Sequence, residues 1–408
     1  MSLQKGSVFG GALLITASCI GAGMLGLPIL LGRCGFFLSL LLLFLAWGFM
    51  TYTSLLLVEV MAASSVKANI VTLSRRTLGN RAKVFTGIIY LFLFYSLLVA
   101  YVSGSGEIIH SILGKRISVA LGSVFFTLLF GVLIYFGKQI VDYFNRFLMG
   151  VKVLSFVGLI VLAFSHFNPK LLLHYQPIYA LAAFPILVIS FGFQNMNPVL
   201  MEYLGGDIRR VKRAIFLGSG AVLLFYLFWI IVVLGVLPVH GRDGIIETLK
   251  NNRQATQALS GIIKSPLLTL FAQGFAFVAL LTSFLAQALG MVHFLADWIQ
   301  IKSRGSQESH RENALLCLLT LAPPLICSLI NPYLFYQALS FAGGICAVIL
   351  FGALPVFMVW KMRYVDKAES TYRVFGEKAM LSFIFLFALL IFLFELGNML
   401  HLSFLKTI

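Results

Sequence analysis

The chain has 408 residues, 60% of them hydrophobic and only 11% charged, with a mean hydropathy of +0.99. A soluble domain carries about 25% charged residues, so this composition excludes a soluble enzyme, a disordered chain and a disulfide scaffold. The net charge of +16 sits in short Lys and Arg clusters between long apolar runs, which points to membrane topology rather than to nucleic acid.

The first apolar run starts at Val8 behind Lys5. It has no small-residue cleavage site before a polar segment, so a retained first span is expected. A helix crosses the hydrocarbon core with about 20 residues. In chain order the candidate spans are 8–31, 37–62, 84–112, 117–137, 146–166, 178–204, 213–237, 267–300, 313–330, 334–360 and 379–401. The expectation is an all-α integral membrane protein with eleven transmembrane helices in one transmembrane domain over 1–408. The longest polar stretch runs from about His240 to Ser265, and its Glu247 to Gln257 segment is expected as a surface helix. Cys19, Cys34, Cys317, Cys327 and Cys346 are odd in number and form no CxxC pair, so they read as small buried hydrophobes.

Lys and Arg set the orientation. With the N-terminus in the cytoplasm, the inside segments hold most of the 30 Lys and Arg. Lys5, Lys67, Arg75, Arg76, Arg209, Arg210, Lys302, Arg304, Lys361 and Arg363 are among them. The outside segments hold the rest, four of them in the loop after span 7. The consistent solution has a cytoplasmic N-terminus and a periplasmic C-terminus, with eleven spans between.

Two spans are interrupted. Span 1 reads Ser18-Cys-Ile-Gly-Ala-Gly-Met-Leu-Gly-Leu-Pro28, and span 6 reads Ser190-Phe-Gly-Phe-Gln-Asn-Met-Asn-Pro198. Glycine costs helix stability, and proline removes a donor and clashes with the preceding turn. Unpaired backbone survives in a bilayer only where it is buried or lines a cavity. The breaks fall five spans apart, as an inverted 5+5 repeat predicts, with a substrate site near the midplane between the broken helices. The repeats would cover approximately 8–166 and 178–360, with 379–401 as an additional helix. The bland alternative is that Gly and Pro are common in membrane helices. Free N–H groups around Gly21, Ala22 and Gly23 suit a carboxylate. Free carbonyls at the end of the first half-helix and near Ser190 and Phe191 suit an ammonium. An α-amino acid needs both.

At these residues the sequence resembles the hydroxy/aromatic amino acid permeases of the amino acid–polyamine–organocation superfamily. The matching pieces are Gly21 to Pro28, Tyr101-Val-Ser-Gly-Ser-Gly-Glu107, Ser190-Phe-Gly-Phe193 with Pro198, and Thr282-Ser-Phe-Leu285 with Gly290 and Phe294-Leu-Ala-Asp297. They are spread over the whole chain and are most similar to the tyrosine-specific branch. The resemblance implies a LeuT-like fold, proton-coupled symport and an aromatic amino acid substrate, in a bacterial inner membrane.

Phe193, Gln194 and Asn195 sit at the break in span 6. A ring there can stack on a substrate ring, and an amide can bond a phenol hydroxyl or an indole N–H. Helix packing and repair of the break are the competing roles. Tyr101, with Ser103 and Ser105, lies in a small-residue stretch of span 3. It is expected to reach the substrate carboxylate or plug the outer path, unless it is a belt tyrosine. Glu107 and His110 follow it as gating or proton candidates.

Lys152, about six residues into span 5, is the charge chosen for ion coupling. In some proton-coupled relatives a span 5 lysine stands where sodium sits in sodium-coupled ones, and Lys152 resembles that arrangement. Snorkelling to the headgroups is the alternative. Thr282 and Ser283 on span 8 make the counter-argument, because adjacent hydroxyls match the sodium site of the LeuT-type fold. The alternative for this pair is a backbone bond within its own helix.

No HExxH, GxSxG or Walker loop appears, so no enzyme is expected. No cofactor and no metal are expected either. The partners that the resemblance implies are a small-molecule substrate, an aromatic amino acid, and a coupling ion (proton before sodium); the lipid bilayer is expected from the spans, and no nucleic acid is expected. The expected function is import of tyrosine by proton symport and alternating access. A tryptophan or serine/threonine carrier, a sodium-coupled carrier and a non-transporting amino acid sensor remain as alternatives.

Overall fold

The apolar stretches become helices because a backbone in hydrocarbon must satisfy its own polar groups. The protein is described here from a computed structural model that covers residues 6–63, 69–114, 116–136, 138–299, 306–368 and 370–400. Lys5, Lys67, Lys302 and Arg304 lie outside the described residues. Among the described residues, ten helices are long and apolar enough to cross a membrane, and a bent pair counted as one span makes eleven. The bent pair is span 1, Val8–Cys19 and Gly23–Gly32, which meet at 65°. The others are Phe36–Ala63, Asn80–Ile112, Val119–Phe136, Tyr143–Phe164, Leu181–Tyr203, Ile208–Val236, Pro266–Ile299, Arg311–Ile330, Phe335–Val365 and Lys378–Met399, spans 2 to 11 in order.

The chain divides into two compact units. The first comprises Met1–Tyr90, His174–Ile230 and Ser340–Ile408, and the second Leu91–Leu173 and Ile231–Leu339. In the first unit, the second half of span 1 packs on the first half of span 6, and span 10 packs on spans 2, 6 and 11. Close approach explains two glycines here. A Cβ on Gly343 would strike the carbonyl of Pro185, and one on Gly344 would meet the Glu395 stem at 2.7 Å. The Ala342–Ala353 stretch that carries them is wound as a π-helix, a wider turn that membrane and soluble helices adopt mostly in short pieces.

One end of the first unit is closed by a buried ion pair. Glu59 and Arg363 have side chains only 1% and 3% exposed. Arg363 donates to both Glu59 oxygens, at 2.7 and 2.6 Å, and to the carbonyls of Gly376 and Val374. The Val374 N–H donates back to Glu59 at 2.7 Å. Span 2, the end of span 10 and the loop before span 11 are thus tied at one point. Nearby, the short helix Ile70–Leu78 begins at Asn69, whose side chain accepts from the Thr72 N–H, the usual N-cap arrangement.

In the second unit, span 8 lies along span 5, and span 9 packs on span 4. Phe126, Phe130, Phe277 and Phe284 interlock there with centroids 4.9–6.1 Å apart. The stretch between spans 7 and 8 differs from the single surface helix expected over Glu247 to Gln257. It forms two helices, Ile245–Lys250 and Ala255–Ile263. Asn252, with φ of 54°, turns the chain between them, and Gln254 with Gln257 builds a capping box. Ala255, Thr256, Ala258 and Leu259 are buried, so the second helix is half-buried against span 8 rather than lying free on the surface.

Candidate functional site

Both helix breaks belong to the first unit and face each other. The first half of span 1 ends at Cys19, and its continuation starts at Gly23. The Gly21 N–H turns back onto the Cys19 carbonyl at 2.8 Å. Of the three N–H groups expected to be free, that one is therefore used locally, and Ala22 and Gly23 stand at the start of the second half. Gly23 lies against Ser190: a Cβ there would come within 2.6 Å of Ser190 Oγ, so that hydroxyl would have to turn away.

The first half of span 6 ends at Ser190, and Gln194–Met196 forms a single tight turn before Asn197 restarts the helix. Pro198 follows Asn197, where its missing N–H costs nothing. Asn197 anchors this restart to span 2 with a reciprocal clamp: its Nδ2 donates to the Ser54 carbonyl at 3.0 Å, and Ser54 Oγ donates to its Oδ1 at 3.1 Å.

Gln194 is fully buried, and its amide nitrogen turns away from the break. It donates to the Met50 carbonyl at 3.0 Å and to Thr53 Oγ1 at 3.2 Å, both on span 2. Its Oε1 has no hydrogen-bond partner among the described residues. The amide thus offers a fixed acceptor and no donor. The Asn195 side chain is hydrogen-bonded to the Tyr90 hydroxyl, and its Oδ1 is likewise without a partner. Phe191 and Phe193 are both fully buried; Phe191 packs edge-on against Tyr226, with centroids 5.2 Å apart.

Tyr226 and Trp229 of span 7 escaped the sequence reading. The Tyr226 hydroxyl donates toward the Cys19 carbonyl at 2.7 Å and the Ser190 carbonyl at 3.0 Å. These carbonyls end the two first half-helices, so the acceptors expected to be free for an ammonium already hold a donor. Three residues on, Trp229 Nε1 donates to the Met24 carbonyl at 2.9 Å. The available signal was two polar-tipped aromatics on one face of an apolar run.

The other candidates lie in the second unit. Tyr101 is buried on span 3. Ser103 is bonded to the Pro332 carbonyl and accepts from the Leu334 N–H, so this small-residue stretch seats the loop before span 10. His110 Nδ1 contacts the Ile117 carbonyl at 2.6 Å. Lys152 is buried, and its Nζ donates to Thr282 Oγ1 at 3.4 Å. Span 5 starts at Tyr143, so Lys152 lies nine residues into it, roughly 14 Å at 1.5 Å per residue, against the six residues expected. Thr282 and Ser283 both also bond the Ala279 carbonyl of their own helix, at 3.2 and 2.9 Å. The two rival coupling candidates, Lys152 and Thr282, are thus neighbours.

Residues 4–395 match the tryptophan/tyrosine permease family. The chain belongs to that family. It is a multi-pass membrane transport protein and not an enzyme. It is 30% identical to tyrosine-specific transport system 1 of Haemophilus influenzae, with 94% of each chain covered. It is 31% identical to tyrosine-specific transport system 2 of the same organism over 92% of each, and 29% identical to that organism's tryptophan-specific transport protein over 96% of each. Among solved structures it resembles MhsT in complex with L-phenylalanine, with a TM-score of 0.62 at 14% identity, covering 97% of this permease and 99% of that chain. The fold is LeuT-like.

Proposed function

We propose that this permease imports an aromatic amino acid, tyrosine first and tryptophan second, across a bacterial inner membrane by proton symport and alternating access. Gln194 carries the reading. A buried amide oxygen without a partner costs about 1–3 kcal/mol, and a phenol O–H or an indole N–H would repay that cost where a bare phenyl ring would not. The names of the relatives, tyrosine-specific and tryptophan-specific transporters, support the same substrates. The carboxylate would sit on the N–H groups of Ala22 and Gly23, at the positive end of the second half of span 1. The ring would lie by Phe193, Gln194 and Asn195. The spans would form two inverted repeats, about 8–166 and 178–360, with 379–401 added and the N-terminus in the cytoplasm.

For coupling, the position of Lys152 favours a proton. A sodium ion at Thr282 would stand a few ångström from an ammonium. Two like charges at 4 Å repel by about 4 kcal/mol at an effective dielectric near 20. Lys152 is therefore assigned as the proton carrier, with Thr282 as its partner and Ser283 beside it.

The test is uptake of labelled tyrosine into proteoliposomes, under a pH gradient and then a sodium gradient, with tryptophan, phenylalanine, serine and leucine as competitors. Tyrosine and tryptophan should compete best, and the pH gradient should drive accumulation. Lys152→Gln should lose that drive while keeping tyrosine counterflow. Sodium drive would move coupling to Thr282 and Ser283. Competition by serine alone would overturn the substrate, and binding without counterflow would make the protein a sensor.

A further inference from the structure

Carbonyls at the ends of broken half-helices are where membrane transporters coordinate cations. In this protein two such carbonyls, of Cys19 and Ser190, converge on one point, and the group at that point is the Tyr226 hydroxyl, 2.7 and 3.0 Å away. The ring is fully buried and held by Phe191, so the hydroxyl is delivered by a rigid plane from span 7. A phenol has a single proton to donate. Two acceptors share it, which makes the contact a positive pole between two negative ones. Three residues on, Trp229 donates to the single carbonyl of Met24, near the start of the second half of span 1.

We infer that the Tyr226 hydroxyl is a built-in substitute for a cation at the helix breaks, so that the permease needs no bound ion there to hold span 1 against span 6. Tyr226 is thus a positioning residue. It acts on the substrate through the backbone of the two breaks. The consequence is specific: removing the hydroxyl while keeping the ring leaves two converging carbonyls that a monovalent cation can bridge. The inference rests on the reading of the breaks as the transport site, and its test is built to fail separately from that reading.

The experiment uses the purified full-length permease and its Tyr226→Phe variant, in sodium-free choline buffer and then with NaCl or LiCl added. Thermal unfolding in detergent is measured alongside tyrosine uptake in proteoliposomes. The wild type should be indifferent to either salt beyond the effect of choline chloride at equal strength. Tyr226→Phe should unfold several degrees lower in choline and recover most of that loss with sodium or lithium. Its KM should rise about tenfold in choline and fall back with the ion, with maximal rate less affected. Tyr226→Asn, which offers an oxygen ligand and room for an ion, is the second variant and should show the same salt rescue. Variants that are no more cation-dependent than the wild type overturn the inference. So does a pair that will not fold in any of the three salts, since Tyr226 is then only a structural brace. If the wild type carries no aromatic amino acid, the transport reading fails, while the unfolding measurement still decides the role of Tyr226.

Discussion

Two polar clusters in the first unit are equally buried and opposite in design. At the end of span 2, Glu59 and Arg363 satisfy each other and the nearby backbone: two carboxylate contacts, two carbonyls and one N–H. At the break in span 6, Gln194 has both contacts of its nitrogen made and its oxygen left over. Completed networks rigidify, and an incomplete one is costly until something fills it. The first cluster is a fixed point, and the second is held open at the expense of stability. On the proposed function, that split would suit a carrier: a tied region beside one whose open acceptor the cargo would fill.

The contrast can be broken at its strong end first. Arg363→Met removes one partner of a buried pair and strands Glu59, so stability should fall by about 3–5 kcal/mol. Thermal unfolding in detergent measures it, and a variant within about 1 kcal/mol of the wild type would show that water reaches the pair. At the weak end, Gln194→Leu removes the waiting acceptor. Selectivity for tyrosine over phenylalanine should fall about tenfold, the value of roughly one hydrogen bond, with little loss of stability. Competition uptake reads it, and unchanged selectivity would assign the acceptor to the protein rather than to the ring.

The smallest effect lies just outside span 11. The Tyr364 hydroxyl, bonded to Glu377 at 2.8 Å, together with Arg373, holds that exposed carboxyl below its usual range. A lowered pKa in the folded state contributes stability above the unfolded value, lost as pH falls through the folded one. Glu377→Gln should therefore flatten the acid side of the stability profile slightly and leave neutral pH almost unchanged, because the group is exposed and screened.

Much of the fold was legible because the bilayer allows few solutions. Long apolar runs become crossings, and the break at Gly21 to Pro28 announces itself by residues that weaken a helix. The π-helical winding of span 10 was not legible, because Gly343 and Gly344 take their meaning from Pro185, which only the packing brings near. The site was half legible. Gln194 could be placed at a break from its neighbours, yet the direction of its nitrogen depends on Met50 and Thr53 of another span. Tyr226 looked like any aromatic in an apolar run. Lys152 and Thr282 read from the sequence as rivals, because spacing does not reveal that they meet across 130 positions of sequence.

The Glu59–Arg363 pair also sets a schedule for the ribosome. Its partners are 304 residues apart, and a chain grows at about 5–20 residues per second, so a newly made span 2 waits roughly 15–60 s for its counter-charge. Throughout that interval an acidic side chain must be sheltered by water, lipid headgroups or the insertion machinery. Any nascent chain that stops before the end of span 10 keeps this acid without its arginine.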